Sequence, residues 1–375
     1  MMQLALWSGW SATKSWTFVF DLPYSASLHT DYREGYKATR SLCYVKRTLW
    51  FCMLLSFYEF NGTGSVKGTL KIPAHFTFIF LMWQKDDART SLLILMDTPS
   101  YIPPPSRYWA DLGTADFAAL QASGCASKTI AILPVAATEQ HGPHLPVSVD
   151  TVLVNGVLTA ALACLPQYVP ALVLPTQSIG LSVEHARFAG TLTLKNETIL
   201  RLWTDICECI ATVGIRKLVL FNAHGGNVSA MDMVARDLRA RLNMRVYSVS
   251  WFNLPLTDTD GSDVTKWFGQ TEMRFGIHAG DVETSMMLAL DPVHVHMDQA
   301  QNFASTAQAY SLKFDILGNG KSAKLGWQIQ DYNPTGAVGN AAAATADKGR
   351  ITIAAAGRAL AQLLTELDLL PSATL

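Results

Sequence analysis

The chain has 375 residues, of which 49% are hydrophobic and 16% charged, and 29 Lys and Arg residues balance 30 Asp and Glu residues. The formal charge of −1 excludes the strongly basic surface that nucleic-acid-binding proteins use, and the hydrophobic content excludes a disordered chain. The longest mostly apolar runs, at 49–57 and 76–83, are about half the length of a membrane-spanning helix. The six cysteines form no C-x-x-C pair, so we expect a cytoplasmic protein. Because the charge is balanced and the apolar runs are short, we expect it to bind neither nucleic acid nor membrane.

Residues 1–95 differ in composition from the rest of the chain. They hold 18 of the 37 aromatic residues and carry 10 basic against 6 acidic side chains, and they show neither helical nor strand periodicity. Two interpretations remain open: a small accessory domain with an aromatic core, or translated sequence upstream of a true start at Met96. We favour the second, which makes 1–95 an uncertain N-terminal extension and 96–375 the functional domain.

Beyond residue 100, short apolar runs alternate with segments of helical spacing. The apolar runs, rich in β-branched residues, predict buried parallel strands at 129–135, 171–175, 217–222 and 245–250. The intervening segments predict helices at 151–163, 197–213, 228–242 and 281–290. This alternation is typical of an α/β fold with a parallel sheet and helices on both faces. Ligands of such folds bind at the carboxyl ends of the strands, so the residues that follow each strand are the first candidates for chemistry.

The first predicted strand runs into a loop that carries Glu139, His141 and Asp150. Carboxylate oxygen and imidazole nitrogen are ligands that suit Zn²⁺, Mn²⁺ or Fe²⁺. Glu139 and His141 are two residues apart, so they can share a centre only if the loop bends, and Gly142 with Pro143 makes a bend plausible. An alternative remains open for Asp150, which could simply cap a helix that begins at residue 151.

The third predicted strand ends in a second group of this kind. His224 follows the strand and is flanked by Ala223, Gly225 and Gly226, whose small size permits close approach of a ligand. The alternative is an ordinary loop histidine beside a helix start. We favour a metal-binding role for His224, because it is the second potential metal ligand to follow a predicted strand.

Two further segments carry candidate functional residues. His278 precedes a predicted helix and Glu283 lies one turn inside it, so one of them could donate a proton while the other binds metal; alternatively, Glu283 only complements the helix dipole. Between the second and third strands, Ser182, Glu184 and His185 form a polar stretch that predicts either the rim of a pocket or a solvated connector.

Together these residues resemble the creatininase family, the creatinine amidohydrolases. The resemblance covers about residues 135–350 and lies in five blocks: 138–146 with Asp150, 184–191, 222–227, 278–285 and 336–349. It implies a three-layer α/β/α sandwich with a mostly parallel central sheet. It also implies a ring-like homohexamer with two divalent metal ions, Zn²⁺, Mn²⁺ or Fe²⁺, in each subunit.

The resemblance also implies a role for individual residues. Glu139 and His224 would bind one metal ion, His141 the other, and Asp150 both. Creatinine-cleaving members have a further acidic ligand where this chain has Gly226. Glu283 or a water molecule could replace it, and we favour Glu283. His278 would protonate the departing nitrogen. The implied substrate contacts are Ser182, Glu184, His185, Gly225, Gly226 and Trp251.

The implied activity is metal-dependent hydrolysis of a C–N amide bond, other than a peptide bond, in a small cyclic or linear amide. Creatinine-cleaving members carry an acid and a Trp where this chain has Ile277 and Arg274, so the substrate stays open within this class. Two alternatives differ in chemistry: a hydrolase of a cyclic polyol ketone, and a non-catalytic protein that binds a small molecule with the same fold.

The proposed start at Met96 predicts the mass of the natively produced protein. Intact-mass spectrometry of untagged protein from its native source should give the mass of residues 96–375, because the preceding residues would not be translated. A species that begins before Met96 would contradict this interpretation.

Overall fold

The computed structural model describes residues 104–371, together with the backbone of two short strands nearer the N-terminus. These strands, β1 (Ile79–Met82) and β2 (Ser91–Ile94), pair antiparallel, with Ile79 opposite Ile94. They belong to a unit that spans 1–101 and is distinct from the unit at 102–375. The extension predicted for residues 1–95 otherwise lies outside the described residues and stays a prediction.

A four-stranded parallel sheet forms the centre of the second unit. Its strands are β3 (Ile130–Val135), β4 (Ala171–Val173), β5 (Lys217–Asn222) and β6 (Arg245–Ser250), in the order β4-β3-β5-β6. All neighbouring pairs are parallel, and Ile130 lies opposite both Ala171 and Lys217. The four predicted strands are confirmed. Strand β4 ends two residues earlier than predicted, before Pro175, which has no amide hydrogen to donate.

The four predicted helices are also confirmed: the ends of two of them shift by one or two residues, and the other two match the predicted ranges 228–242 and 281–290. The four predicted ones are α2 (Val149–Cys164), α3 (Asn196–Thr212), α4 (Val228–Leu242) and α6 (Asp281–Leu290). The other elements of this unit are α1 (Thr114–Ala122), α5 (Gln270–Phe275), β7 (Asn302–Phe303), α7 (Thr306–Lys313), α8 (Ile329–Tyr332), β8 (Gly339–Asn340) and α9 (Ala346–Leu369), with β7 and β8 paired antiparallel.

Helices cover both faces of the sheet, which gives the predicted three layers. Alternate strand residues such as Ile132 and Val219 join an apolar core with α2, α6 and α9. The residues between them, such as Leu218 and Leu220, point to the opposite face, where α3 and α4 pack together and Trp203 is fully buried. Among the described residues, no helix combines the length and apolarity needed to cross a membrane.

Loss of the Trp203 side chain should destabilise the fold strongly. This indole is completely buried on α3, so Trp203→Ala would leave a cavity and cost about 3–5 kcal/mol of the free energy of unfolding, measured by urea denaturation. Trp267→Ala is the matched control: its indole is 51% exposed, and we expect a change of about 0.5 kcal/mol or less. Equal losses in the two variants would contradict this packing.

Candidate metal centre

The four predicted metal ligands from the first and third strand ends lie together in the structure. Glu139 Oε1 lies 3.1 Å from His224 Nδ1, and Asp150 Oδ2 lies 3.7 Å from the same nitrogen. His141 Nε2 lies 3.8 Å from Asp150 Oδ1. All four side chains are buried. The parallel arrangement of β3 and β5 accounts for this convergence, because it brings the carboxyl ends of both strands to one edge of the sheet.

The loop after β3 bends as the shared centre requires. His141 pairs with Leu145 across a tight turn in which Gly142 has a φ of +69°, a conformation that favours glycine. The turn lets His141 Nδ1 donate to the main-chain oxygen of Glu139 over 3.0 Å. The other ring nitrogen of His141 is thereby directed at Asp150, so two side chains only two residues apart serve one centre.

Asp150 is not the cap of the helix that follows the loop. Helix α2 begins at Val149, which places Asp150 inside the first turn and Ser148 at the cap position. The alternative that Asp150 only caps a helix starting at residue 151 is therefore wrong. Its carboxylate faces His141 and His224, because the helix start directs that side chain into the space between the two strand ends.

The donor set fits divalent cations. His141 Nε2 and Asp150 Oδ2 are buried and have no hydrogen-bond partner among the described residues, although buried polar atoms normally have one. Three groups of residues offer ligand atoms that all lie within 4.8 Å of one another: Glu139 with Asp150 and His224, His141 with His278 and Glu283, and Glu139 with His185 and His278. Imidazole nitrogen and carboxylate oxygen are ligands that transition-metal cations prefer.

Charges inside the cluster are strongly coupled. Burial alone would raise the pKa of Glu139, but the charge of His224 and its hydrogen bond outweigh burial and hold the pKa well below its usual value. Burial would likewise lower the pKa of His224, yet Glu139 and Asp150 raise it to about 10. Burial, reinforced by the charge of Glu139, raises the pKa of Asp150 well above its usual value. Without a cation, the cluster therefore holds protons at positions that a cation would occupy.

His278 turns one ring nitrogen towards this cluster. Its main chain pairs with Val338 in both directions, and its Nε2 donates to the main-chain oxygen of Gln140 over 2.7 Å. Since a carbonyl oxygen can only accept, Nε2 carries the hydrogen and Nδ1 faces Glu139 Oε1 at 3.7 Å. Glu283 Oε2 accepts from the amide of Ala279 over 2.5 Å, which holds the carboxylate beside His278.

The polar stretch before α3 belongs to the site. Ser182 donates a hydrogen bond to Glu139 Oε2, and His185 Nε2 lies 3.6 Å from Glu139 Oε1. Glu184 Oε1 lies 3.4 Å from His224 Nε2. All three side chains are buried on or next to the short 3-10 helix Val183–His185, so the interpretation of this stretch as a solvated connector is wrong.

The remaining predicted substrate residues lie at two different depths. Gly225 is exposed and has open space where a side chain would begin, whereas such an atom at Gly226 would collide with Glu184, His224 and Leu181. Trp251 belongs to the buried apolar core, and its ring meets Phe252 edge-on with centroids 5.7 Å apart. Its predicted contact with substrate stays a prediction.

Two side chains that border the site, Gln140 and Trp327, were not among the predicted site residues. Gln140 Nε2 donates to the carbonyl of Gly336 over 2.8 Å and to His185 Nδ1 over 2.7 Å. In an extended strand, the side chain of Gln140 would point away from those of Glu139 and His141. The bend in the loop is what places it beside His185. Trp327 meets His185 edge-on with centroids 6.2 Å apart, and no local pattern marked it.

Comparison with known proteins finds one family. The family model named Creatininase, described as creatinine amidohydrolase, matches residues 114–364. The mycofactocin precursor peptide peptidase of Mycobacterium tuberculosis is 30% identical over 230 residues, which are 60% of this chain and 80% of that protein. The creatinine amidohydrolase of Pseudomonas putida is 30% identical over 191 residues, or 48% of this chain and 71% of that protein. The 3-dehydro-scyllo-inosose hydrolase of Thermotoga maritima is 25% identical over 238 residues, or 58% and 71%.

Solved structures agree with this result. A crystal structure of creatinine amidohydrolase is 25% identical, has a TM-score of 0.56, and matches 70% of this chain and 98% of that one. A Zn-Zn form of a mutant creatininase and a manganese form of creatininase match over the same shares at the same identity, with TM-scores of 0.55 and 0.53. The shared architecture is the three-layer α/β sandwich described above.

Cation binding should release a proton from His224. Because the pKa of His224 is raised to about 10, the metal-free protein holds this proton at pH 8, and a cation at Nδ1 must displace it. Calorimetric titration with Zn²⁺ at pH 8, in buffers of different ionisation enthalpy, should show release of about one proton or more per chain. The proton that His224 releases on Zn²⁺ binding should no longer be observed when the pH rises above about 10, because the ring is then already neutral. It should also be absent in His224→Gln. A binding heat that is independent of the buffer would contradict this protonation state.

Proposed function

From the membership of this chain in the creatininase family, we propose that it is a metal-dependent hydrolase that cleaves the C–N bond of an amide in a small substrate. One observation carries the proposal: carboxylates and imidazoles from separate segments converge on one small volume, and two of their buried polar atoms have no hydrogen-bond partner among the described residues. A purely structural cluster would satisfy these atoms with hydrogen bonds. A retained donor set also argues against a non-catalytic binding protein.

We propose two cation positions within this volume. Glu139 and His224 would hold the first cation, His141 and Glu283 the second, and Asp150 would contact both. The group of Glu139, Asp150 and His224 supports the first position, and the group that contains His141 and Glu283 supports the second. Zn²⁺ and Mn²⁺ are the first candidates, since solved relatives carry them, and Fe²⁺ suits the same donors. When bound, such cations would activate a water molecule as nucleophile and polarise the substrate carbonyl.

His278 is the proposed proton donor. Its Nε2 is anchored on the carbonyl of Gln140, so the ring keeps Nδ1 directed at the cluster. A proton held at Nδ1 can pass to the nitrogen that leaves when the C–N bond breaks, which avoids expulsion of an unstable amide anion. The fixed orientation of the His278 ring favours this proton transfer, because no rotational freedom has to be lost in the transition state.

His185 and the exposed glycine supply the proposed substrate contacts. Burial lowers the pKa of His185 to about 3, so its ring is neutral and can hydrogen-bond a polar substrate group. Gly225 is exposed, and its amide could stabilise the oxyanion of the tetrahedral intermediate. The hydroxyl of Ser182 already donates to Glu139, which leaves it as an acceptor for substrate.

The substrate is proposed to be an amide other than creatinine. Relatives cleave a peptide, creatinine and a cyclic polyol ketone, so family membership alone leaves the bond open. The side chain of Ile277 is half exposed beside His278 and cannot accept a proton, unlike the acid that creatinine-cleaving members are expected to carry there. Formamides and small lactams are the first candidates, and polyol ketones are the second class to test.

We also propose a cytoplasmic homohexamer. Segment 310–325 supports assembly, because Leu312, Ile316 and Leu317 are more than half exposed, and exposed apolar clusters often mark contact surfaces. The exposed cysteines Cys164 and Cys209 form no disulfide, which agrees with a reducing compartment.

Two histidine substitutions should separate cation binding from proton transfer. His141→Ala should lose bound metal and activity together, since it removes a proposed ligand. His278→Ala should keep its metal content and lose about 10²- to 10⁴-fold in kcat. The measurements are elemental analysis of the purified protein and hydrolysis assays on a panel of formamides, lactams and polyol ketones with Zn²⁺, Mn²⁺ and Fe²⁺.

His294→Ala serves as the matched control, because His294 is exposed and pairs with Asp291. It should retain both metal and activity. If His278→Ala also lost metal, its role would be ligation rather than proton donation. A wild-type protein that binds no divalent metal would contradict the hydrolase proposal itself.

A further inference from the structure

We propose that Glu184 is a positioning residue that acts through His224 and strengthens this ring as a cation ligand, and that Gly226 lacks a side chain because Glu184 and His224 fill that space. This inference rests on the proposed function, since it concerns the same centre. It replaces the expected contact between Glu184 and substrate with a contact to a metal ligand.

The two ring nitrogens of His224 have different surroundings. Nδ1 faces the carboxylates of Glu139 and Asp150, at 3.1 Å and 3.7 Å. Nε2 lies 2.9 Å from the carbonyl oxygen of Leu181 and 3.4 Å from Glu184 Oε1. The carbonyl and the ionised carboxylate can only accept, so Nε2 must carry the hydrogen. In the neutral ring, this leaves the lone pair on Nδ1, on the side where a cation would bind.

Leu181 and Glu184 contribute differently to this orientation. The Leu181 carbonyl is part of the main chain and selects the tautomer whichever residue stands at position 184. The carboxylate adds a negative charge close to Nε2–H, which makes the ring a stronger donor to a cation at Nδ1. Loss of the charge alone should therefore weaken cation binding without disrupting the local fold.

The surroundings of Gly226 show that Glu184 and His224 are closely packed. A Cβ atom at position 226 would lie 2.4 Å from each of three atoms: Glu184 Oε1, His224 Nε2 and the carbonyl oxygen of Leu181. The carbonyl oxygen of Leu181 belongs to the main chain, and the ring of His224 has contacts at both of its nitrogens. These atoms can therefore move aside only if the local structure rearranges. The chain therefore has no room for an acidic side chain at position 226, and the carboxylate of Glu184 lies in the space that such a side chain would need.

The surroundings of Glu184 argue against a role in direct substrate contact. Its side chain is largely buried on the 3-10 helix Val183–His185, and Oε1 points to His224. Gly225, by contrast, presents open space on the accessible side of the same loop. The exposed position on this loop is thus Gly225, whereas Glu184 is largely buried beside His224.

The test measures metal affinity on the full-length protein. The Zn²⁺ dissociation constant of wild type, Glu184→Gln and Glu197→Gln is determined by competition with a chromophoric chelator. We expect Glu184→Gln to bind Zn²⁺ about 10- to 100-fold more weakly, with an altered visible spectrum of the Co²⁺-substituted protein. Glu197→Gln makes the same change at an exposed acid on α3 and should leave both unchanged.

A glycine pair provides a second, independent comparison. Gly226→Ala should weaken Zn²⁺ binding because its Cβ displaces Glu184 or His224, whereas Gly225→Ala should leave Zn²⁺ affinity unchanged because its Cβ meets open space. The thermal unfolding midpoints of the metal-free variants confirm that each is folded. If Gly226→Ala fails to fold, Glu184→Gln still decides the question.

The outcomes separate this inference from the proposed function. An unchanged Zn²⁺ affinity and Co²⁺ spectrum in Glu184→Gln, with a raised KM, would overturn the inference and assign Glu184 to the substrate. Weakened binding in Glu184→Gln, with no hydrolysis of any substrate by wild type, would support the inference and contradict the hydrolase proposal. A wild type that binds neither Zn²⁺ nor Co²⁺ would overturn both.

Discussion

The burial of one carboxylate, that of Glu139, is the constraint on which the site depends. Three imidazoles approach its Oε1, with His224 at 3.1 Å, His185 at 3.6 Å and His278 at 3.7 Å, while Ser182 bonds the other oxygen. A charge removed from water is tolerated only when such partners surround it. These partners come from three different segments of the chain, so the segments must pack together for Glu139 to stay ionised.

The same burial destabilises the folded protein when no cation is bound. Asp150 lies in the first turn of α2 beside Glu139, and burial, reinforced by the charge of Glu139, raises its pKa. The unpartnered atoms of His141 and Asp150 add to this cost. A bound cation would relieve both penalties, because it neutralises the acids and coordinates the free atoms. We therefore expect cation binding to stabilise this fold, as in other proteins whose ligands are gathered from distant positions.

Much of the fold and part of the site follow from local patterns. The strands β3, β5 and β6 and the helices α4 and α6 were predictable because an apolar run or a helical repeat is a property of neighbouring residues. Parallel strands must end at a common edge, so Glu139 after β3 and His224 after β5 were expected to meet. Asp150, His278 and Glu283 were also candidates from their places beside the predicted strands and helices, and they lie near Glu139 and His224 in the structure; the family blocks added their roles.

The sequence by itself determined the α/β architecture, the edge of the sheet that carries the chemistry, and the types of ligand available there. Only the tertiary structure decided that Asp150 faces inward instead of capping its helix, that Glu184 contacts His224, and that Gln140 and Trp327 border His185. The physical reason is that the direction of a loop side chain depends on a turn such as that at Gly142 and on atoms packed from far along the chain. Neither leaves a periodic pattern in the sequence.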